Sequence, residues 1–146
     1  MTLKRMSEFL TSTARINPEK YAAKISPNRI ASFGYALRGW LYVLRWQKNT
    51  RIMSVASILV MILALWLELP PLHLAMIVIV ITIIWLAEFL NAGIEAVIDL
   101  ASPDIHPMAQ VGKDVAAAAV LLAVVCAVIV GVLLFGPPLL VRLGLQ

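Results

Sequence analysis

Charged residues are scarce in this sequence, and their scarcity excludes an ordinary soluble domain. Only 14% of the 146 residues are Asp, Glu, Lys or Arg, while 62% are hydrophobic. A soluble domain of similar size carries about 25% charged and about 45–50% apolar residues. The composition is therefore typical of a small integral membrane protein, with one domain and no separate soluble catalytic unit.

Cysteine is nearly absent, and a secretory leader is not recognisable. The single cysteine, Cys126, lies in an apolar segment, so it forms no intrachain disulfide and is interpreted as a small buried hydrophobe. The first forty residues are basic and lack the continuous apolar core of a signal peptide. We therefore expect the amino terminus to stay in the cytoplasm.

Positive charge is largely missing from the last two thirds of the chain. Ten of the twelve Lys and Arg residues lie at or before position 51, and the others are Lys113 and Arg142. A basic block can bind nucleic acid, but retention of positive charge on the cytoplasmic side of a membrane explains it more simply. The pattern therefore predicts no nucleic-acid partner, a cytoplasmic amino terminus and, after three spans, an external carboxyl terminus.

The apolar and amphipathic segments predict an all-α membrane fold. Residues 1–28 are interpreted as a loosely ordered cytoplasmic arm, and residues 29–138 as the membrane domain, which leaves residues 139–146 as a short tail. Within the domain, residues 29–48 predict an amphipathic helix lying in the membrane interface. Three spanning helices follow at about 50–68, 72–99 and 114–135. The second would be roughly 40 Å long, beyond the roughly 30 Å hydrocarbon core, so its end is expected to project from the membrane or the helix to tilt. Prolines are expected to end two of them, at 70–71 and 137–138, and residues 100–113 are expected to form a polar loop.

A polar stripe follows the apolar run of residues 72–87. On a helix, Glu88, Asn91, Glu95 and Asp99 fall within an arc of about 80°. An acid within a membrane helix costs about 2.5–3.5 kcal/mol on insertion scales, so such residues are candidates for function. The alternative is that one acid pairs with a basic residue to join helices, which explains one acid well but four aligned polar groups poorly.

The expected depths of these groups predict different roles for them. Glu88 lies deepest and suits a general base, whereas Glu95 lies nearer water and suits a divalent cation. Asn91 is placed to orient either group. The stripe therefore predicts chemistry at the cytoplasmic boundary of the membrane.

The polar segment on the same side supplies a cation for an anionic substrate. Lys113 stands beside the predicted start of the third span, where free N–H groups favour a phosphate. Asp114 is interpreted either as a phosphate partner or as a cap of that helix. On spacing alone, His106 is interpreted as a surface histidine. A metal-binding acid, a cation and a base together indicate phosphoryl transfer to a lipid alcohol.

Three segments carry a resemblance to a known family. EFLNAGIEAVIDL at 88–100, SPDIHP at 102–107 and GKDVAAAAVLLA at 112–123 are similar to the small prokaryotic diacylglycerol kinases, which include undecaprenol kinases. GYALRG at 34–39 resembles the surface-helix region more weakly. The resemblance implies three transmembrane helices plus a surface helix, a homotrimer with shared active sites, a bacterial plasma membrane location, and use of ATP with Mg²⁺.

The resemblance also implies roles for individual residues. By it, Glu88 is the catalytic base at the lipid hydroxyl, Asn91 supports it, and Glu95 is a metal ligand near the ATP phosphates. Ala117 matches a position near the lipid substrate. The residues implied to contact the nucleotide are Tyr35, Asp104, His106, Lys113 and Asp114.

One position departs from the family pattern. The family commonly has a second metal-binding glutamate at the end of the surface helix, and this chain has Gln47 there. An amide oxygen still coordinates Mg²⁺ but brings no charge, so we expect a weaker metal site. A relative disabled at this position is the harsher interpretation.

The substrate and two other classes of function stay open. The stretch HPMAQVGKDVAA is more similar to the polyprenol kinases, because Gln110-Val111 replaces a Gly-Arg pair of the glycerolipid branch. Both lipids present a primary hydroxyl, so the substrate stays open.

A small transporter needs an acid near the bilayer midplane, and this stripe lies towards the cytoplasmic end. A structural membrane subunit predicts that Glu88→Gln is tolerated. A lipid phosphatase is disfavoured for want of a nucleophile with a phosphate-binding constellation.

Overall fold

A computed structural model describes residues 29–102, 104 and 106–145, and in that part of the chain all regular secondary structure is helical. The helices are α1 (Arg29–Trp46), α2 (Lys48–Trp66), α3 (Pro71–Ala101) and α4 (Pro107–Arg142). The predicted arm of residues 1–28 lies outside the described residues. The described residues divide into two units with the boundary within α1, between Gly39 and Trp40. The all-α prediction is confirmed.

Three of the helices are long and apolar enough to cross a membrane. α2, α3 and α4 have 19, 31 and 36 residues, and their large hydrophobic side chains are mostly exposed on the helix surfaces. Such exposure is costly in water and favourable in lipid. Cys126, expected to be buried, is exposed on α4, because an apolar side chain needs no protein cover where lipid surrounds the helix. The interfacial, amphipathic role of α1 stays a prediction.

The turn between α2 and α3 closes with a recognisable cap. The Leu69 N–H donates to the Ala64 carbonyl (3.1 Å) and the Glu68 N–H to the Leu65 carbonyl (3.1 Å). This pair of bonds is a Schellman motif, and Glu68 takes its left-handed position with φ 54°. Pro71 then begins α3 at the first position, where no amide donor is needed. The predicted break near the two prolines is confirmed.

The connection between α3 and α4 is shorter than predicted. The expected loop of residues 100–113 is wrong for residues 107–113, because α4 already begins at Pro107. Proline is favoured at the first helical position, and His106 caps the helix by accepting a hydrogen bond from the Met108 N–H at Nδ1 (3.2 Å). Asp114 therefore lies within α4 and does not cap it.

The carboxyl end of α4 also differs from the expectation. The helix continues through Pro137 and Pro138 to Arg142, so the predicted stop at these prolines is wrong. Two observations explain the continuation. Leu134 belongs to the buried cluster that joins the three long helices at this end, and the Arg142 guanidinium lies 5.1 Å from the centre of the Trp66 ring. This packing offsets the amide donors that the prolines lack.

Candidate active site

The polar stripe of α3 passes from buried to exposed along the helix. Glu88 is 1% exposed and Asn91 9% exposed, Glu95 is half-buried, and the Asp99 side chain is 65% exposed. The order follows the predicted depths, with the deepest acid the most enclosed. A buried carboxylate next to an exposed one gives two sites of different polarity on a single helix face.

Glu95 is the centre of a small hydrogen-bonded group. The Asn91 Nδ2 donates to its Oε1 (3.3 Å), and the Gln47 Nε2 donates to its Oε2 (3.4 Å). Both bonds are long, so neither holds its partners firmly by itself. The structure thus brings Gln47, 48 positions away in the chain, to the α3 residue with which it was predicted to share a metal.

Two buried oxygens of this group accept no hydrogen bond within the described part of the chain. They are Oε2 of Glu88 and Oδ1 of Asn91. A buried polar atom without a partner is destabilising, and in a native protein it is commonly matched by an ion or a ligand donor. Glu95 lies seven residues, about two turns, further along the same face of α3. The arrangement suits a cation or the proton of a hydroxyl.

The donor set fits a magnesium ion that shares its ligands with a substrate. Mg²⁺ prefers oxygen and is commonly held by one or two carboxylates, with phosphates and water completing its coordination. Glu95 supplies a carboxylate, and Gln47 would supply an amide oxygen after its side-chain amide turns, because its Nε2 donates to Glu95 in the structure. Among the described residues no group of three or more His, Cys, Asp or Glu side chains forms a complete metal cage. The site therefore suits a metal that arrives with a phosphate ligand.

A second polar site lies beside the first, where α3 ends and α4 begins. A cavity of about 340 Å³ is open there to the outside. Its polar lining residues are Asp99, Ser102, Asp104, His106, Gln110, Lys113 and Asp114. Four residues that were singled out from the sequence for nucleotide contact therefore surround a single cavity.

Lys113 connects this cavity to the acidic stripe. Its ammonium group forms an ion pair with Asp99 and interacts electrostatically with Glu95. Close approach of α3 and α4 permits the pair, since a Cβ at Gly112 would lie only 2.8 Å from Ile98 Cδ1. Asp99 was placed on the stripe by its spacing, but its pairing with Lys113 was not foreseen. The Lys113 side chain is 41% exposed, so its ammonium group is accessible to an anionic ligand.

Two predicted residues have other surroundings. Tyr35 belongs to the first unit, where it is 52% exposed and the Arg38 guanidinium lies 5.8 Å from its ring centre. Ala117 is exposed on α4 and does not line the polar cavity. Their roles stay predictions.

A larger apolar cavity lies between α2, α3 and α4 in the spanning region. It measures about 510 Å³, and its walls include Ser57 of α2, Ile84 of α3 and Gly131 of α4. Ile84 stands one helical turn before Glu88 on α3, so this cavity begins one turn below the buried carboxylate.

Comparison with known proteins gives one consistent result. The sequence pattern of the prokaryotic diacylglycerol kinase family matches residues 34–135. A diacylglycerol kinase of Synechocystis sp. is 38% identical over 122 residues, which cover 83% of this chain and 70% of the relative. An undecaprenol kinase of Bacillus subtilis is 34% identical over 74% of this chain and 88% of its own length. A diacylglycerol kinase of Escherichia coli is 30% identical over 68% and 82%.

Proposed function

The chain belongs to the prokaryotic diacylglycerol kinase family and is a membrane lipid kinase, and we propose that it uses ATP with Mg²⁺ to phosphorylate a lipid alcohol at the cytoplasmic interface. The observation that carries the proposal is the buried Glu88 carboxylate, with an oxygen that has no partner in the described part of the chain. It lies on the same helix face as Glu95, whose Oε2 accepts a hydrogen bond from Gln47, and as Asp99, which pairs with Lys113.

Glu88 acts as the general base. The lipid hydroxyl gives its proton to the Glu88 carboxylate as its oxygen attacks the γ-phosphorus of ATP. The bond between the γ-phosphorus and the bridging oxygen breaks, and ADP leaves with the electron pair. The products are a lipid phosphate and ADP, and Glu88 later returns the proton to water. Asn91 supports the base through its position between Glu88 and Glu95.

Glu95 and Gln47 are the residues that would hold the magnesium ion. When bound, Mg²⁺ neutralises charge on the transferring phosphate. Glu95 supplies the anionic ligand, and Gln47 supplies a neutral oxygen after its amide turns from the hydrogen bond seen in the structure. Lys113 pairs with Asp99, which lies one turn beyond Glu95 on the same helix face, and this placement supports one shared site for metal and phosphate.

The polar cavity between α3 and α4 is the proposed nucleotide site. Lys113 exchanges its Asp99 partner for the phosphates, and Asp114 lies beside it at the same cavity. Asp104 and His106 also line this cavity, and the proposal assigns them to the sugar and base of the nucleotide. The nucleotide contact of Tyr35 that the family resemblance implies stays a prediction.

The lipid approaches from the membrane side of Glu88. Its hydrocarbon chain follows α3 into the apolar cavity, which begins one turn from Glu88, and Ala117 lies near the lipid. The amino terminus is proposed to be cytoplasmic and the carboxyl terminus external, in the inner membrane of a bacterium. The active form is proposed to be a homotrimer with shared sites.

Transfer of labelled phosphate tests the proposal. Detergent-purified protein receives labelled ATP with diacylglycerol or undecaprenol in parallel, across a Mg²⁺ titration and with a chelator as control. We expect Mg²⁺-dependent labelling of one lipid above the other, and the preferred lipid identifies the substrate. Folded protein that labels neither lipid at high Mg²⁺ would overturn the proposal in favour of a disabled or structural relative.

A further inference from the structure

An aromatic cluster next to the active site has no role in the mechanism above. Trp40 of α1 stacks on Trp85 of α3, with ring centres 5.4 Å apart and planes at 23°. Phe89 of α3 meets Trp40 edge-on at 5.1 Å and Trp85 at 5.7 Å. Every ring contacts both others, in geometries that are favourable for aromatic pairs.

A hydrogen bond fixes the orientation of the cluster. The indole N–H of Trp85 donates to Ser57 Oγ on α2 at 3.2 Å. The bond satisfies a polar group in an apolar region and stops the Trp85 ring from turning. The cluster therefore joins the end of α1 to both α2 and α3.

The cluster lies beside the polar stripe. Phe89 directly follows Glu88, and on the helix wheel Trp85 and Phe89 stand at about 60° and about 100° from Glu88. Seven residues after Trp40, the chain reaches Gln47, which bonds Glu95. The last two turns of α1 are thus attached to α3 at two points, the aromatic rings and the Gln47 amide.

The two attachments differ in strength. A 3.4 Å amide-to-carboxylate bond is at the long limit of hydrogen bonding. The aromatic cluster has three ring contacts and a fixed indole. We propose that Trp40 is a positioning residue: its stack on Trp85 and Phe89 holds α1 so that Gln47 meets Glu95 at the metal site.

The kinetic test of this inference rests on the proposed function, because it requires kinase activity. A metal-binding test, which requires no activity, distinguishes a failure of this inference from a failure of the proposed function. The key variant is Trp40→Ala, and the rescue variant is Trp40→Phe, which keeps a ring for Trp85 and Phe89. Trp46→Ala is the matched control. Trp46 is on the same helix and is 65% exposed, and among the described residues its ring contacts the Arg45 guanidinium and no other ring.

The kinetic experiment separates Mg²⁺ requirement from turnover. We expect Trp40→Ala to raise the half-saturating Mg²⁺ concentration about tenfold, with turnover at saturating Mg²⁺ nearly unchanged. Trp40→Phe is expected to recover most of the change, and Trp46→Ala to cause none. Equal effects of Trp40→Ala and Trp46→Ala would overturn the proposal, because an anchor in the membrane interface predicts that result.

A double variant tests whether Trp40 acts through Gln47. In a Gln47→Ala background, adding Trp40→Ala should leave the Mg²⁺ requirement unchanged, since the group that Trp40 positions is already gone. Independent, additive increases would contradict the proposal. If Trp40→Ala does not fold in detergent, Trp40→Leu, which keeps apolar volume, takes its place in both comparisons.

Binding of Mn²⁺ to protein saturated with a non-hydrolysable ATP analogue gives a readout without catalysis, because the metal site is completed by phosphate oxygens. Electron paramagnetic resonance titrations of the native protein and the Trp40 and Trp46 variants should show weaker binding with Trp40→Ala alone. Unchanged Mn²⁺ binding in that variant would overturn the proposal. Native protein that binds Mn²⁺ in this Trp40-dependent way but transfers no phosphate would refute the proposed function and leave the positioning role standing.

Discussion

Gln47 donates a hydrogen bond from Nε2 to Oε2 of Glu95 across 3.4 Å, from the residue between α1 and α2 to the polar face of α3. The contact joins a neutral amide to a carboxylate at the place where the proposed mechanism requires a divalent cation. A second carboxylate at position 47 would repel Glu95 without metal and bind metal more tightly with it. We therefore expect the residue at this position to set the magnesium requirement.

Gln47→Glu should lower the half-saturating Mg²⁺ concentration by about tenfold, since a charged ligand replaces a neutral one. When both proteins are unfolded thermally in detergent with a chelator, the variant should be less stable than the native protein. Adding Mg²⁺ should reduce this difference in stability. Phosphate transfer across a Mg²⁺ titration measures the first effect.

Asn49→Asp is the matched control for that variant, because it adds the same charge two positions away on an exposed residue of α2. It should leave the Mg²⁺ requirement nearly unchanged. A Gln47→Glu protein with native Mg²⁺ dependence would show that Gln47 is not at the metal site.

Lys113→Ala should raise the KM for ATP by roughly 10- to 100-fold, because a hydrogen bond to a charged group is worth about 1.5–3 kcal/mol. The KM for the lipid should change little. Initial rates with each substrate varied separately measure the two constants. Arg142→Ala removes one positive charge from the opposite end of α4 and serves as the control. A larger change in the lipid KM than in the ATP KM would contradict the nucleotide assignment of the polar cavity.

Gly112→Ala should change the free energy of unfolding by less than about 1 kcal/mol, because two effects oppose each other. Alanine favours a helix over glycine by about 1 kcal/mol, but the new Cβ would lie 2.8 Å from Ile98 Cδ1. Ile98→Val removes that methyl group, so adding Gly112→Ala to Ile98→Val should stabilise the protein. Reversible unfolding in mixed detergent micelles measures both steps. Destabilisation by Gly112→Ala in the Ile98→Val background would show a different contact between α3 and α4.

Hydrophobic patterning was enough to predict the helices and the polar stripe. Long apolar runs predicted the three spanning helices, and the 3.6-residue period placed Glu88, Asn91 and Glu95 on one face. Helix ends were harder to predict, because α4 begins at Pro107, seven residues before the predicted start near 114, with His106 as its cap. The choice between a loop and a first turn at Pro107 depends on a side-chain bond that the apolar pattern does not reveal.

Contacts between distant segments account for most of what was missed. The helix passes Pro137 and Pro138 because its last turns pack on the core and Arg142 meets Trp66. Pairing of Asp99 with Lys113 depends on how closely α3 and α4 approach, which periodicity within each helix cannot give. The stack of Trp40 on Trp85 likewise joins residues 45 positions apart. A single helix wheel shows Trp85 beside Glu88 but does not show what covers it.

The most direct test of the central claim compares Glu88→Gln with Glu68→Gln in phosphate transfer at saturating ATP, Mg²⁺ and lipid. Glu68 is the exposed glutamate of the turn between α2 and α3, so its variant controls for the chemical change alone. The account predicts that Glu88→Gln loses about 10²- to 10⁴-fold in rate while remaining folded and binding ATP, and that Glu68→Gln stays near the native rate. Equal rates in the two variants would contradict the assignment of Glu88 as the base that activates the lipid hydroxyl.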